Sequence, residues 1–184
     1  MLKQIFPILF LLLITSCVKD VDFEQAEDLS ITPVLEASLL FFDFSAPEFQ
    51  EPTGTALVIE QDALELDIFN DEFLRDNLVR AEFFFEVTNS IDRTFRADII
   101  MFDVDGNVTN AFDISIAAGG TNEIQETHTE VFEGATLDQL KNTTSMQFIL
   151  TMFPSLTGDP LDATSTGNIK MRSKATLFFE IDTE

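Results

Sequence analysis

The sequence predicts an all-β fold, an antiparallel β-sandwich of about eight strands with one or two short helices. Three observations carry this reading. Beyond Leu29, apolar and polar residues alternate with period two in runs separated by turn residues. That is the pattern of strands with one face on a core and one in water. Between the runs there is no amphipathic stretch of the roughly 10–15 residues that a crossover helix needs, which argues against βαβ units. Apolar residues make up 45% of the 184, with 20 Phe but no Trp or Tyr, so a sizeable core can be buried.

The last run is the clearest. Ile169, Met171, Ser173, Ala175, Leu177, Phe179 and Ile181 fall on one face of a strand, and Lys170, Arg172, Lys174, Thr176, Phe178 and Glu180 on the other. Val79, Ala81, Phe83, Phe85 and Val87 alternate in the same way with Arg80, Glu82, Phe84, Glu86 and Thr88. Further strands are expected near 31–45, 55–69, 93–103, 107–117, 123–132 and 144–153, a spacing similar to that of immunoglobulin-like sandwiches. Two segments suit short helices. Residues 70–78 open with Asn70 and Asp71, good caps for the positive end of a helix. Thr136 to Lys141 offers Thr136 as cap and Gln139 three residues on, as in a capping box. Residues 154–168, rich in Ser, Thr, Gly and Asp, read as a long loop.

The N-terminus is different in kind. One positive charge at Lys3 precedes an unbroken apolar run from Ile5 to Ile14, too short for a spanning helix of about 20 residues and suited to a signal peptide. The run ends in Ile14-Thr15-Ser16-Cys17. This resembles the lipobox of bacterial lipoproteins: an aliphatic residue, two small ones, then the cysteine that takes the lipid. The resemblance implies cleavage between Ser16 and Cys17 and a diacylglyceryl thioether on Cys17, the only Cys of the chain. Two or more acyl chains anchor stably where one binds marginally. Cleavage removes 16 of 184 residues and leaves 168; losing Lys3 takes the formal charge from −23 to −24. Residues 18–28 then carry five acids and one Lys. Acidic stretches at this position resemble the surface-export signals of Bacteroidota lipoproteins. Val18 stands where enterobacterial lipoproteins held in the inner membrane carry Asp. As a tether, about 12 residues reach roughly 40 Å when extended. The expected organisation is thus signal peptide 1–16, lipidated Cys17 with acidic tether 17–29, and sandwich 30–184. The expected location is the bacterial outer membrane, anchored through Cys17, with display on the outer surface as the finer expectation.

The charge balance, 10 Lys and Arg against 33 Asp and Glu, argues against nucleic acid, whose phosphates need clustered cations. Asp103-Val104-Asp105-Gly106-Asn107 places acids as a calcium loop would. However, an EF-hand counted from Asp103 needs Gly at Val108 and Glu at Ile114, so the stretch reads better as a hairpin turn. His128 shares a strand face with Glu126 and Glu130, with no second His or Cys to complete a zinc site. A strand polar on both faces suits a sheet edge protected by charge. A hydrolase needs a base beside a nucleophile, and the single His and single Cys leave little for one. No enzyme, cofactor or metal is expected. Leu39-Leu40-Phe41-Phe42, Phe83-Phe84-Phe85 and Phe178-Phe179 are apolar on both faces of their strands. Phe84, Phe178 and one of Phe41 or Phe42 should therefore form a second apolar surface, covered by helices or loop or left as a partner patch. Lys170, Arg172 and Lys174 should face acids from Glu60, Glu65, Asp67, Glu82 or Glu86 on the adjacent strand. The expected function is a binding, adaptor or structural role alongside another envelope protein; the alternative is an accessory glycan-binding lipoprotein of an outer-membrane uptake system.

Overall fold

The computed structural model describes residues 30–49, 57–60, 64–155 and 159–182. Cys17, the expected signal peptide and the tether lie outside the described residues. The sandwich occupies one compact unit, Thr32–Ile181; residues 1–31 and 182–184 fall outside it.

After the two-residue strand β1 (Ser30–Ile31), the chain runs through β2 (Val34–Ser45), β3 (Leu57–Glu60) and β4 (Leu64–Glu65). Helix α1 (Glu72–Asn77) leads into β5 (Leu78–Asn89), β6 (Phe95–Phe102), β7 (Val108–Ile116) and β8 (Ile124–Phe132). Helix α2 (Ala135–Lys141) precedes β9 (Ser145–Met152) and β10 (Asn168–Phe179), and the two-residue β11 (Ile181–Asp182) closes the order. One sheet has the order β2-β10-β5-β8, the other β3-β9-β6-β7 with β4 also on β9.

This order follows from one long hairpin rolled up. The tip is the β6–β7 pair; going outward, β5 meets β8, β3 and β4 meet β9, and β2 meets β10. Rolling brings β10 onto β5 and β9 onto β6, which splits the ribbon into two antiparallel sheets. That is a jelly roll. The sandwich class read from alternation holds, but the immunoglobulin-like expectation does not: the strand order is that of a jelly roll, because the pairing follows one rolled hairpin and alternation within single strands does not specify which strands pair.

Apart from Val79 and the half-buried Ile181, the inward faces of the runs 79–87 and 169–181 bury the residues that alternation assigned to them. Every residue of the inward set of β10, from Ile169 to Phe179, is buried. Phe83, Phe85, Phe95, Phe132 and Phe148 are among the largest side chains fully withdrawn from water. Their rings meet edge to face or tilted, as with Phe83 and Phe132 at 5.0 Å and Phe42 and Phe148 at 5.1 Å.

Four local expectations need correction. Val79 is 46% exposed, whereas Leu78 is 2% exposed. The register with β10 slips between Phe178 and Phe179, opposite Arg80 and Leu78. The irregularity turns Leu78 inward and leaves Val79 in solvent. The strand expected over 55–69 is two short pieces, β3 and β4, followed by a 3-10 turn at Asp67–Asn70 that buries Phe69. Asp71, not Asn70, caps α1, accepting from the Leu74 N–H at 3.0 Å. Thr136 does not cap α2: the cap position is Gly134 at φ 52°. The Thr136 hydroxyl instead turns back to Glu133, accepting from its N–H at 3.0 Å and donating to its carbonyl at 2.9 Å. The glycine makes the left-handed entry that a side chain resists.

One buried polar residue ties the sandwich end together. Asn89 is fully buried at the end of β5. Its Nδ2 donates to the carbonyls of Arg93 at 2.9 Å and Ala117 at 2.8 Å, and its Oδ1 accepts from the Ile91 N–H at 2.9 Å. The same end is threaded by Gly119, where a Cβ would stand 2.2 Å from the Asn89 carbonyl oxygen.

Candidate functional site

The solvent face of the β2-β10-β5-β8 sheet is the most distinctive surface among the described residues. Strand β10 lies second in this sheet, so its outward side chains have a neighbour on each side. Lys170 sits between Asp43 of β2 and Thr88 of β5; Arg172 lies between Phe41 and Glu86; Lys174 lies between Ser38 and Phe84; Phe178 lies between Val34 and Arg80. Four of the ten Lys and Arg of the chain, Arg80, Lys170, Arg172 and Lys174, thus share one face.

The cations are partly paired, though not with the acids expected. Lys174 Nζ donates to Glu36 Oε1 at 2.6 Å, and Lys170 Nζ lies 3.6 Å from Asp43 Oδ2. Both acids come from β2, which the sequence reading did not consider as the source. Of the five acids it named, Glu86 stands directly opposite Arg172 and accepts from Gln125 Nε2 at 2.8 Å. Arg80 bridges Glu82 at 2.5 Å and Glu133 at 2.6 Å, with its guanidinium 5.2 Å from the centroid of Phe178. The Lys174 ammonium holds the Glu36 carboxyl below its ordinary range. These pairs are exposed and screened, so each contributes little to stability.

The second apolar surface is also different from expectation. Phe41 is the member of its pair that faces out, 67% exposed, whereas Phe42 is buried at 4%. Phe84 and Phe178 are half-buried. Phe41 and Phe84 lie on opposite sides of Arg172 and Lys174, and the row Glu36–Thr176–Glu82 stands between them and Phe178. The face is therefore a mosaic of rings, cations and acids, with Glu36, Asp43, Glu82 and Glu86 standing among the cations. Its rings can stack on planar or apolar groups.

His128 lies on edge strand β8 with its ring stacked on Phe112 of the opposite sheet, 5.3 Å between centroids, and its Nε2 3.2 Å from Glu130 Oε2. Glu126, His128 and Glu130 point toward the seam between the sheets, the inward charge that protects an edge. No group of three or more metal-ligating side chains occurs among the described residues.

Asp103 to Asn107 forms the β6–β7 turn. Asp103 Oδ1 accepts from the N–H groups of Asp105 at 2.9 Å and Asn107 at 2.8 Å, and Gly106 takes φ 81°. The carboxylate is thus occupied by its own turn. The Asn107 side-chain amide, then the Asn107 N–H, hold the Asp103 carboxyl below its ordinary value. A folded value depressed in this way means the turn is stabilised above the unfolded value. That contribution is lost as pH falls through the folded one. Carboxyl NMR titration should place the Asp103 midpoint below that of a free Asp, and Asn107→Ala should raise it. An unchanged midpoint in that variant would count against the turn bonds as the cause.

The jelly-roll sandwich thus carries a sheet face of mixed aromatic and charged residues, and the fold itself assigns no ligand. No family model matches the sequence, and no curated protein matches it. Solved structures show only distant likeness. The infectious bursal disease virus VP2 subviral particle is 10% identical with a TM-score of 0.49, covering 80% of this chain and 32% of that one. A Parabacteroides distasonis protein described as secreted is 12% identical with a TM-score of 0.45, over 70% and 40%. The enzymatically active domain of bacteriophage CBA120 tailspike protein 4 is 11% identical with a TM-score of 0.39, over 85% and 20%. The chain spans about a third of the viral protein's length. Among the described residues no helix is long and apolar enough to cross a membrane.

Proposed function

We propose that this protein is a lipoprotein of the bacterial outer membrane, anchored through Cys17, whose jelly-roll domain binds another envelope protein and carries out no chemistry. The observation that carries the binding role is the mosaic face. In a chain of formal charge −23, Arg80, Lys170, Arg172 and Lys174 gather on one sheet around Phe41, Phe84 and Phe178. A solvated face in so acidic a chain has no need of a ring as exposed as Phe41 beside Arg172. Arg beside an aromatic is the pairing that recurs at energetic centres of interfaces. The non-catalytic reading is supported by the residues available for chemistry. The one His is engaged by Glu130 and Phe112, and the one Cys is the residue the lipobox requires.

The binding reading is tested by capture from detergent-solubilised envelopes. Wild type should retain an envelope protein that Phe41→Asp with Arg172→Glu loses, while Val104→Asp on the β6–β7 turn keeps it. Equal capture by all three sinks the proposed face. The anchor has its own test. Cys17→Ser should abolish incorporation of a fatty-acid probe and leave the precursor uncut; normal processing of that variant would falsify the lipobox reading.

A further inference from the structure

The two edges of the β2-β10-β5-β8 sheet are built differently. Edge β8 turns Glu126, His128 and Glu130 toward the seam between the sheets. Edge β2 turns Leu35 and Ala37 toward it, opposite the buried Leu177 and Ala175 of β10. Among the described residues no strand lies beside β2 on its outer side. Its first five residues, Val34 to Ser38, are exposed on both faces, with Val34 at 56% and Leu35 at 43%. A long edge with apolar inward side chains and no inward charge is a template for another strand.

Below this edge the seam opens into a cleft of about 200 Å³. Ala37 and Leu39 of β2 form one wall, and Leu64, Leu66, Ile68 and Phe69 form the other. Cavities of about 150 Å³ lined by such residues hold a benzene-sized group. Exposed Glu65 and Asp67 also line it, and their carboxylates favour a cationic visitor.

We infer that β2 is a strand-acceptor site: an extended segment of a partner protein, alternating apolar and basic residues, adds to its free edge, seats one apolar side chain in the cleft and sets Lys or Arg against Glu65 and Asp67. Main-chain hydrogen bonds to β2 supply affinity, and the cleft with its acids supplies selectivity. The acceptor segment Val34–Ser38 and its cleft adjoin the Arg172–Phe41 face, since Phe41 lies farther along β2, but Arg172 and Phe41 do not line the cleft; the inference does not rest on the proposed anchor. Either reading can fail with the other intact.

The test uses the full chain in detergent and three fluorescent peptides. One alternates Val and Lys around a central Phe; the second replaces each Lys with Glu; the third is the first with alternate amides N-methylated. Fluorescence polarisation should show the Lys peptide binding about tenfold or more tighter than the other two. Hydrogen exchange at residues 34–38 should slow only when that peptide is present. Ala37→Trp, which fills the cleft from an exposed position, should abolish binding with the thermal midpoint kept. Glu65→Lys with Asp67→Lys, both on the surface, should reverse the preference between the Lys and Glu peptides, and this holds as a test even if Ala37→Trp fails to fold. Equal binding of the Lys and Glu peptides, no binding of either, or binding that survives Ala37→Trp in a folded protein overturns the inference. Protection of 34–38 that grows with protein concentration in the absence of peptide also overturns it, in favour of a second copy of this chain as the occupant.

Discussion

Phe85→Ala is expected to lower the free energy of unfolding by about 3–5 kcal/mol, the range for removing a large ring from a packed core. Phe85 is fully buried at the centre of β5 and meets Phe112 of the opposite sheet at 5.6 Å between centroids. The ring therefore helps hold the two sheets together, and the void it leaves lies between layers that cannot close without moving whole strands. The matched control is Val79→Ala on the same strand. Alternation alone makes Val79 as much a core residue as Phe85. At 46% exposure, however, its loss should stay within about 0.5 kcal/mol. Urea unfolding of both variants, made without residues 1–17, reads the contrast directly. Comparable losses at the two positions would mean that the β5–β10 register at Phe178 and Phe179 is misplaced.

Asn89→Ala is expected to cost about 3 kcal/mol or more, on a residue that looks ordinary in the sequence. Removing the side chain strands the Ile91 N–H and the carbonyls of Arg93 and Ala117, groups whose present partner is the buried amide. A buried donor or acceptor without a partner costs about 1–3 kcal/mol each, and part of that is recovered where water reaches the loop end. The amide joins the end of β5, the turn at 91–93 and the exit of β7, so its loss loosens three segments together. Hydrogen exchange should therefore quicken at Ile91 and Gly119, whose N–H donates to the Ile91 carbonyl at 2.9 Å. A loss under about 1 kcal/mol with unchanged exchange would show that the three groups find other partners. Gly119→Ala probes the same joint by crowding, since its Cβ would stand 2.2 Å from the Asn89 carbonyl oxygen.

How much of this was legible beforehand depended on whether the signal was local. Period-two alternation located β6, β7, β8, β9 and β10 to within about two residues, because each strand has one wet face and one dry one. The inward set of β10 could be written down residue by residue for the same reason. Asp103 to Asn107 was readable as a turn because its hydrogen bonds close within five residues. Where a bulge intervenes, the alternation misleads: Val79 follows the pattern and is outside, and Leu78 breaks it and is inside. The stretch 55–69 was obscured because β3 and β4 pair through only a few residues each before a 3-10 turn takes over.

The candidate surfaces were legible in part. The basic residues of β10 and the doubled phenylalanines announced an unusual outer face, yet their arrangement as a mosaic depends on strand neighbours. Lys174 and Glu36 are 138 residues apart, and nothing near either one points to the other. The edge of β2 and its cleft had no local sign at all, since Leu35 and Ala37 look like any other inward residues. By itself the sequence determined that this protein is an all-β sandwich, and which side of most strands faces the core. Alternation is a property of each strand alone, set by the pleat. Only the tertiary structure decided the rest: the jelly-roll order, the acids that meet Lys170 and Lys174, and the β2 edge with its cleft, which has no outer neighbour among the described residues. Those follow from which strand lies beside which, and pairing across more than a hundred residues is settled by the packing of the two sheets as a whole.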